Sequence, residues 1–259
     1  MWYANEEEFK TANGYEVNGA WFPRVTKILE IKSKPGLESF WKEVGHYATA
    51  EDIKNKSAAH GSLVHTTVQR LAVGERVDIP EEIRPSVEAF QEFNQSKNIF
   101  FYPEFIERRV WSLRHRYAGT VDALAEVDGK FGVLDIKTST GFFPEYNLQT
   151  AAYVSALQEF EVRRLCALPK DIQTRWILRI DQRRVCSRCR ATLREKGGRS
   201  KIRPVYPRKE AINLGECREG RASGAGEHEW GETQGDVAIR EFPYVYKDIK
   251  AFLAAKILW

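Results

Sequence analysis

Apolar residues are densest between Thr120 and Lys137, where two runs rich in Val, Ile, Leu and Phe, Thr120–Val127 and Lys130–Lys137, flank Asp128-Gly129. That dipeptide favours a two-residue hairpin turn, so the segment reads as a β-hairpin. Elsewhere the apolar spacing is helical. Leu63, Val64, Val68 and Leu71 share one face of a helix from about Ala50 to Val73, with Gly74 as its stop. Shorter helices are expected over Leu37–Val44, after Pro35-Gly36, and over Pro85–Asn94. Leu148, Ala152, Ser155 and Ala156 mark another behind Pro144, and Tyr246–Trp259 reads as a closing amphipathic helix. Phe105–Trp111, Trp176–Ile180 and Asp236–Phe242 are candidate strands, while residues 11–33 look irregular or built of short strands. Helix, strand, hairpin, helix and strand in this order predict an α/β chain with helices packed on a central mixed sheet. The expected divisions are a core over residues 1–181, a basic insertion over 182–230 and a strand and helix over 231–259 that complete the core.

The chain of 259 residues is 42% hydrophobic, enough to bury a sizeable core. Its net charge is only +4. From Val162 to Lys209, however, sixteen Lys and Arg face three acids, a local +13 that leaves −9 for the remainder. A block this basic without an apolar face points to a polyanion, nucleic acid rather than a membrane. No run reaches the roughly 18 apolar residues of a membrane span, and MWYANEEEF is acidic where a signal peptide is basic. A soluble, intracellular (cytoplasmic) protein is expected. The Gly-rich run 218–226 reads as an exposed loop.

Candidate chemistry concentrates on the hairpin. Strand alternation puts Asp135 and Lys137 on one face, and counting outward from the turn pairs Asp122 with Asp135. Adjacent carboxylates repel unless a cation joins them, and Mg²⁺ or Mn²⁺ is the usual solution. A lysine beside such an ion can orient a water and stabilise charge on a phosphoryl oxygen.

Gly119-Thr-Val-Asp122, Asp135-Ile-Lys137 and Gln149-Thr-Ala-Ala-Tyr153, preceded by Gly61-Ser-Leu-Val-His65, resemble the motifs of the PD-(D/E)XK nuclease superfamily, closest to its RecB-type branch. The resemblance spans about residues 55–181 and implies a restriction-endonuclease-like core. It implies that His65, Asp122, Asp135 and the carbonyl of Ile136 bind the catalytic metal. Lys137 would activate water, Gln149 and Tyr153 would close the site near the scissile phosphate, and Glu107, with Glu104 as rival, would be the preceding acid. Val121 stands where the family has a proline. RecB-type members often carry an iron–sulfur cluster with one cysteine before the core, but none precedes Cys166 here.

Cys186-x₂-Cys189 has metal-ligand spacing, and Cys217 and His228 could complete a Cys₃His zinc site, with Cys166 left to the core. Such a site would hold Arg183, Arg184, Arg188, Arg190, Arg194, Lys196, Arg199, Lys201 and Arg203 as a phosphate-binding array. Trp176, Tyr206 or Phe142-Phe143 could stack on unpaired bases. The expectation is a metal-dependent DNA nuclease, an exonuclease on single-stranded or end-processed DNA. Its alternatives are a structure-specific endonuclease and a non-catalytic, zinc-stapled nucleic-acid-binding module.

Overall fold

The computed structural model describes residues 3–32, 35–204 and 228–259. Cys217, Tyr206 and the Gly-rich run therefore lie outside the described residues. The fold is α/β, with a mixed seven-stranded sheet and helices on both faces.

The chain opens with α1 (Glu6–Asn13), a β1–β2 hairpin (Gly14–Val17, Ala20–Pro23) and α2 (Val25–Ile28). Next come α3 (Pro35–Val44), the long α4 (Tyr47–Ala72) and α5 (Arg84–Lys97). Helix α4 stops where expected, at Gly74, whose φ of +83° suits a residue without Cβ. After β3 (Phe100–Phe101), β4 (Arg108–Ser112) pairs with β5 (Tyr117–Val121) as a separate two-stranded ribbon. β6 (Ala123–Val127) and β7 (Lys130–Lys137) form the predicted hairpin, and both turn residues, Asp128 and Gly129, have positive φ as such a turn requires. α6 (Pro144–Leu157) and α7 (Phe160–Leu165) then cross to β8 (Thr174–Val185), which lies parallel to β7. The sheet is completed by β9 (Thr192–Lys196), β10 (Arg199–Arg203) and β11 (Gln234–Glu241), and α8 (Tyr246–Leu258) closes the fold.

Alternation along β7 sorts its side chains between two cores. Phe131 and Val133 join α6 and α8 through Tyr153, Ala156 and Phe252, while Leu134 and Ile136 join α4 and α5 through Val64, Val68 and Phe90. Arg175, with no exposed surface, locks α8 down. It donates to the carbonyls of Phe242 (3.0 Å) and Tyr244 (2.9 Å) and pairs with Asp248.

Two expectations change here. The single strand Thr120–Val127 is divided at Asp122 between β5 and β6, and the Asp122 carbonyl accepts from Glu107 N (3.2 Å) and Gln69 Nε2 (3.0 Å). The start of the stretch read as a basic insertion over 182–230 belongs to the sheet. β8 runs on through Val185, and β9 pairs with it at Arg184↔Leu193 and Val185↔Thr192, so the β9–β10 hairpin widens the central sheet. No helix of the described residues is long and apolar enough to cross a membrane.

Candidate functional site

His65 projects from α4 at the break between β5 and β6. Its Nε2 lies 2.9 Å from Asp122 Oδ2, and its Nδ1 lies 3.7 Å from Glu107 Oε1. Ligand atoms of His65, Glu107 and Asp122 all fall within 4.8 Å of one another. Glu107 holds this place at a φ of +49°, a conformation that costs a non-glycine residue on the order of 1 kcal/mol. Its rival Glu104 sits exposed on the preceding turn, Pro103–Phe105.

Asp122 and Asp135, expected to stand side by side, act on each other electrostatically. Cross-strand pairing ends at Ala123↔Leu134, and beyond it Asp122 Oδ2 accepts from the N–H of Ile136 at 2.7 Å. Asp135 is not one of the three grouped ligand residues, though its charge acts on His65. It is fully buried on the α6 face, with Lys137 Nζ 2.7 Å from its Oδ2. The same-face placement of Asp135 and Lys137 is as alternation predicts. Neither Asp135 oxygen accepts a well-directed hydrogen bond among the described residues, although the ion pair is close. Lys137 reaches over the Tyr146 ring, 5.1 Å from its centroid.

The electrostatics follow from burial. Burial, opposed by Lys137 and reinforced by the Asp122 charge, pushes the Asp135 carboxyl up to about 7. Lys137 moves upward despite its burial, because Asp135 and Asp122 favour the ammonium. For Asp122, the desolvation cost is outweighed by the His65 hydrogen bond and the Lys137 charge, so its carboxyl falls below the usual range. His65 is raised because Asp122 and Glu107 together overcome its desolvation.

Gln149 and Tyr153 meet each other on α6. Gln149 Nε2 donates to Tyr153 Oη at 3.1 Å, and the Tyr153 ring is buried against Gly119. Gln69, one turn beyond His65 on α4, escaped sequence reasoning. It donates to Glu107 Oε1 at 2.7 Å and to the Asp122 carbonyl, holding the acid in place. The only signal for it was its i+4 spacing from His65.

A cleft of about 590 Å³ opens over this group, lined by His65, Gln69, Glu107, Ile136, Lys137 and Thr138. Through Ser57 and Thr138 it adjoins a second groove of about 370 Å³ with Lys54, Phe40, Phe143, Lys196 and Lys201 on its walls. Several of the basic residues expected to bind phosphate are already paired. Arg194 pairs with Asp181 (2.7 Å), Arg183 with Asp236 (3.5 Å), Arg188 with Glu229 (3.2 Å) and Arg199 with Glu43, while Arg184 donates to the carbonyl of Gly231 at 2.8 Å. Lys196 donates to Thr138, Arg203 donates to Thr140, and Arg190 and Lys201 are exposed. Trp176 is buried in the core and cannot stack on a base, whereas Phe143 is 41% exposed.

No family model and no curated protein matches this sequence. The donor set therefore has to be judged on its own chemistry. One imidazole and two carboxylates this close could hold a divalent metal ion, and beside them lies a buried carboxylate whose oxygens lack directed hydrogen bonds. A second cluster joins Cys186, Cys189 and His228, again within 4.8 Å of one another, and Cys166 is buried in the core as expected. Burial opposes ionisation of the Cys186 thiol, yet the N–H of Cys189 and the His228 side chain bring it down to about 6.

Proposed function

We propose that the chain is a metal-dependent nuclease with a PD-(D/E)XK, restriction-endonuclease-like core that hydrolyses DNA phosphodiester bonds. Within that reading it acts as an exonuclease on single-stranded or end-processed DNA. The observation that carries it is the meeting of a His65–Glu107–Asp122 cluster with the Asp135–Lys137 pair at one cleft, on a β6–β7 hairpin followed by a crossover to parallel β8. The single-strand preference draws on the adjoining groove, whose exposed Phe143 and lysines suit an unpaired strand.

His65, Glu107 and Asp122 would hold the ion, which supplies charge at the phosphate and a lowered pKa for attacking water. Lys137 presents an ammonium to the scissile phosphate and stabilises the charge that develops there. Asp135 acts through Lys137 by fixing where its Nζ points, and Gln69 keeps Glu107 turned toward His65. Gln149 and Tyr153 position β5 from behind.

The test incubates end-labelled linear and circular DNA, single- and double-stranded, with Mg²⁺, Mn²⁺ or EDTA. Linear single strands are degraded from an end with either ion, circles survive, EDTA stops the reaction, and Asp122→Asn removes it. Cleaved circles would replace the exonuclease with an endonuclease. Salt-sensitive binding without any cleavage would leave only a binding module.

A further inference from the structure

The phosphodiester chemistry leaves one cluster unused. Cys186, Cys189 and His228 offer two sulfurs and an imidazole nitrogen within 4.8 Å of one another, with Cys189 Sγ and His228 Nδ1 3.4 Å apart. Both ligand-bearing segments are held by backbone bonds. On the first, Cys186 N donates to the Ala191 carbonyl (2.9 Å) and Arg190 N donates to the Cys186 carbonyl (3.0 Å), closing a tight turn with Arg190 at a φ of +61°. On the second, Ser187 N donates to the Glu229 carbonyl (2.9 Å), Gly231 N donates to the Val185 carbonyl (3.0 Å), and Cys186 bridges to Trp230. The His228 ring stacks on Trp230 at 4.6 Å, which fixes its orientation. Cys186 and Cys189 are not bridged to each other.

The donor chemistry selects the metal. Two thiolates and an imidazole are soft-to-borderline ligands that suit zinc and not magnesium or calcium. The nearby carboxylate, Glu229, is taken by Ser187 and Arg188. A tight Cys-x₂-Cys turn with a histidine brought in from 39 residues beyond Cys189 supplies three corners of the tetrahedron that structural zinc adopts.

We propose that Cys186, Cys189 and His228 bind a structural zinc ion that staples the end of β8 to the segment before β11 and so holds the β9–β10 hairpin in place. That hairpin starts at Thr192, just past the Cys-x₂-Cys turn, and carries Arg194, Lys196 and Lys201 into the groove wall. The inference does not depend on nuclease activity, since its ligands are separate from those at the cleft.

The test uses the full chain, purified under reducing conditions without chelator. Metal analysis is expected to find about one zinc per chain, retained in Asp122→Asn and reduced at least tenfold in Cys186→Ser and Cys189→Ser. Should the serine variants fail to fold, cobalt exchanged into the wild-type chain reports instead, through the visible bands of a tetrahedral thiolate complex. Stripping the metal is expected to speed hydrogen exchange of the Thr192–Arg203 amides at least tenfold. Iron in place of zinc, a wild-type chain that takes up neither zinc nor cobalt, zinc undiminished in both serine variants, or unchanged hairpin exchange would each overturn the proposal.

Discussion

Asp135 is buried without a directed hydrogen bond and depends on Lys137 for its nearest opposite charge. Buried ion pairs seldom stabilise a fold more than apolar residues of the same volume, and removing one partner is costly. Lys137→Ala should therefore abolish Mg²⁺-dependent hydrolysis and lower stability by about 3 kcal/mol. The double change Asp135→Leu with Lys137→Met should return the urea midpoint to wild type or above, with no activity regained. A double variant as unstable as the single one would mean that the pair is structural. Gly119 gives a second residue-scale expectation. A Cβ there would lie 2.5 Å from the Tyr153 ring, so Gly119→Ala should cost about 1–3 kcal/mol in a thermal or urea melt. At this scale strand alternation anticipated the Asp135–Lys137 pair, because it is a local property, and the residues named by the family resemblance include His65, Glu107 and Asp122, which the fold brings together. Sequence alone could not give the partners of the Asp122 carboxylate, because an N–H beyond the last paired residue and a histidine on a distant helix share that oxygen. Gln69 stayed hidden because a buried amide has no pattern of its own until its partners are known.

The helices α3, α4, α5, α6 and α8 and the central hairpin were legible as elements, since their apolar periodicity follows from burial of one face, whereas the shorter α1, α2 and α7 were not. Nor was the β9–β10 hairpin. Its strands are mostly charged, and they are held by ion pairs and docking that no periodicity encodes. Its tip sits on α4, where Gly197 at a φ of +64° approaches so closely that a Cβ would lie 2.5 Å from the Ile53 carbonyl. Arg199 then pairs with Glu43 and covers the Phe40 ring on α3. The hairpin thus ties the sheet to the helix that carries His65 and sets the width of the groove between them. Gly197→Ala should undock it, raising KM for DNA several-fold while kcat stays within about twofold, in steady-state assays on a labelled single strand. An unchanged KM would show that the tip contact does not shape the groove.

Over the whole molecule, the +13 block proves to be partly self-neutralised, since Arg183, Arg188, Arg194 and Arg199 spend their charge on acids. Lys54, Arg190, Lys196, Lys201 and Arg203 form no close ion pair among the described residues. Five phosphate contacts predict a slope of about −3.5 for log affinity against log salt on single strands, where nine would give about −6. Measured titrations near −6 would restore the full array. Lys196 adds a pH dependence. Burial, aided by Arg194 and opposed by Asp181, brings its ammonium from 10.5 down to about 8. Between those values the unfolded chain holds the proton that the folded chain has released, so this group's contribution to stability rises with pH. Groove charge falls over the same window, and binding should weaken above pH 8 in the wild type but much less in Lys196→Arg, as fluorescence anisotropy can follow.

Strand β8, which pairs with β7, β9 and β11, also has a consequence in time. The parallel contact with β7 must wait for α6 and α7 to be made, and the β11 contact for most of the remaining chain, so the central strand gathers its neighbours late. His65, Asp122 and Lys137 all leave the ribosome earlier. A nascent chain therefore exposes these three side chains before the sheet that frames their cleft can be assembled.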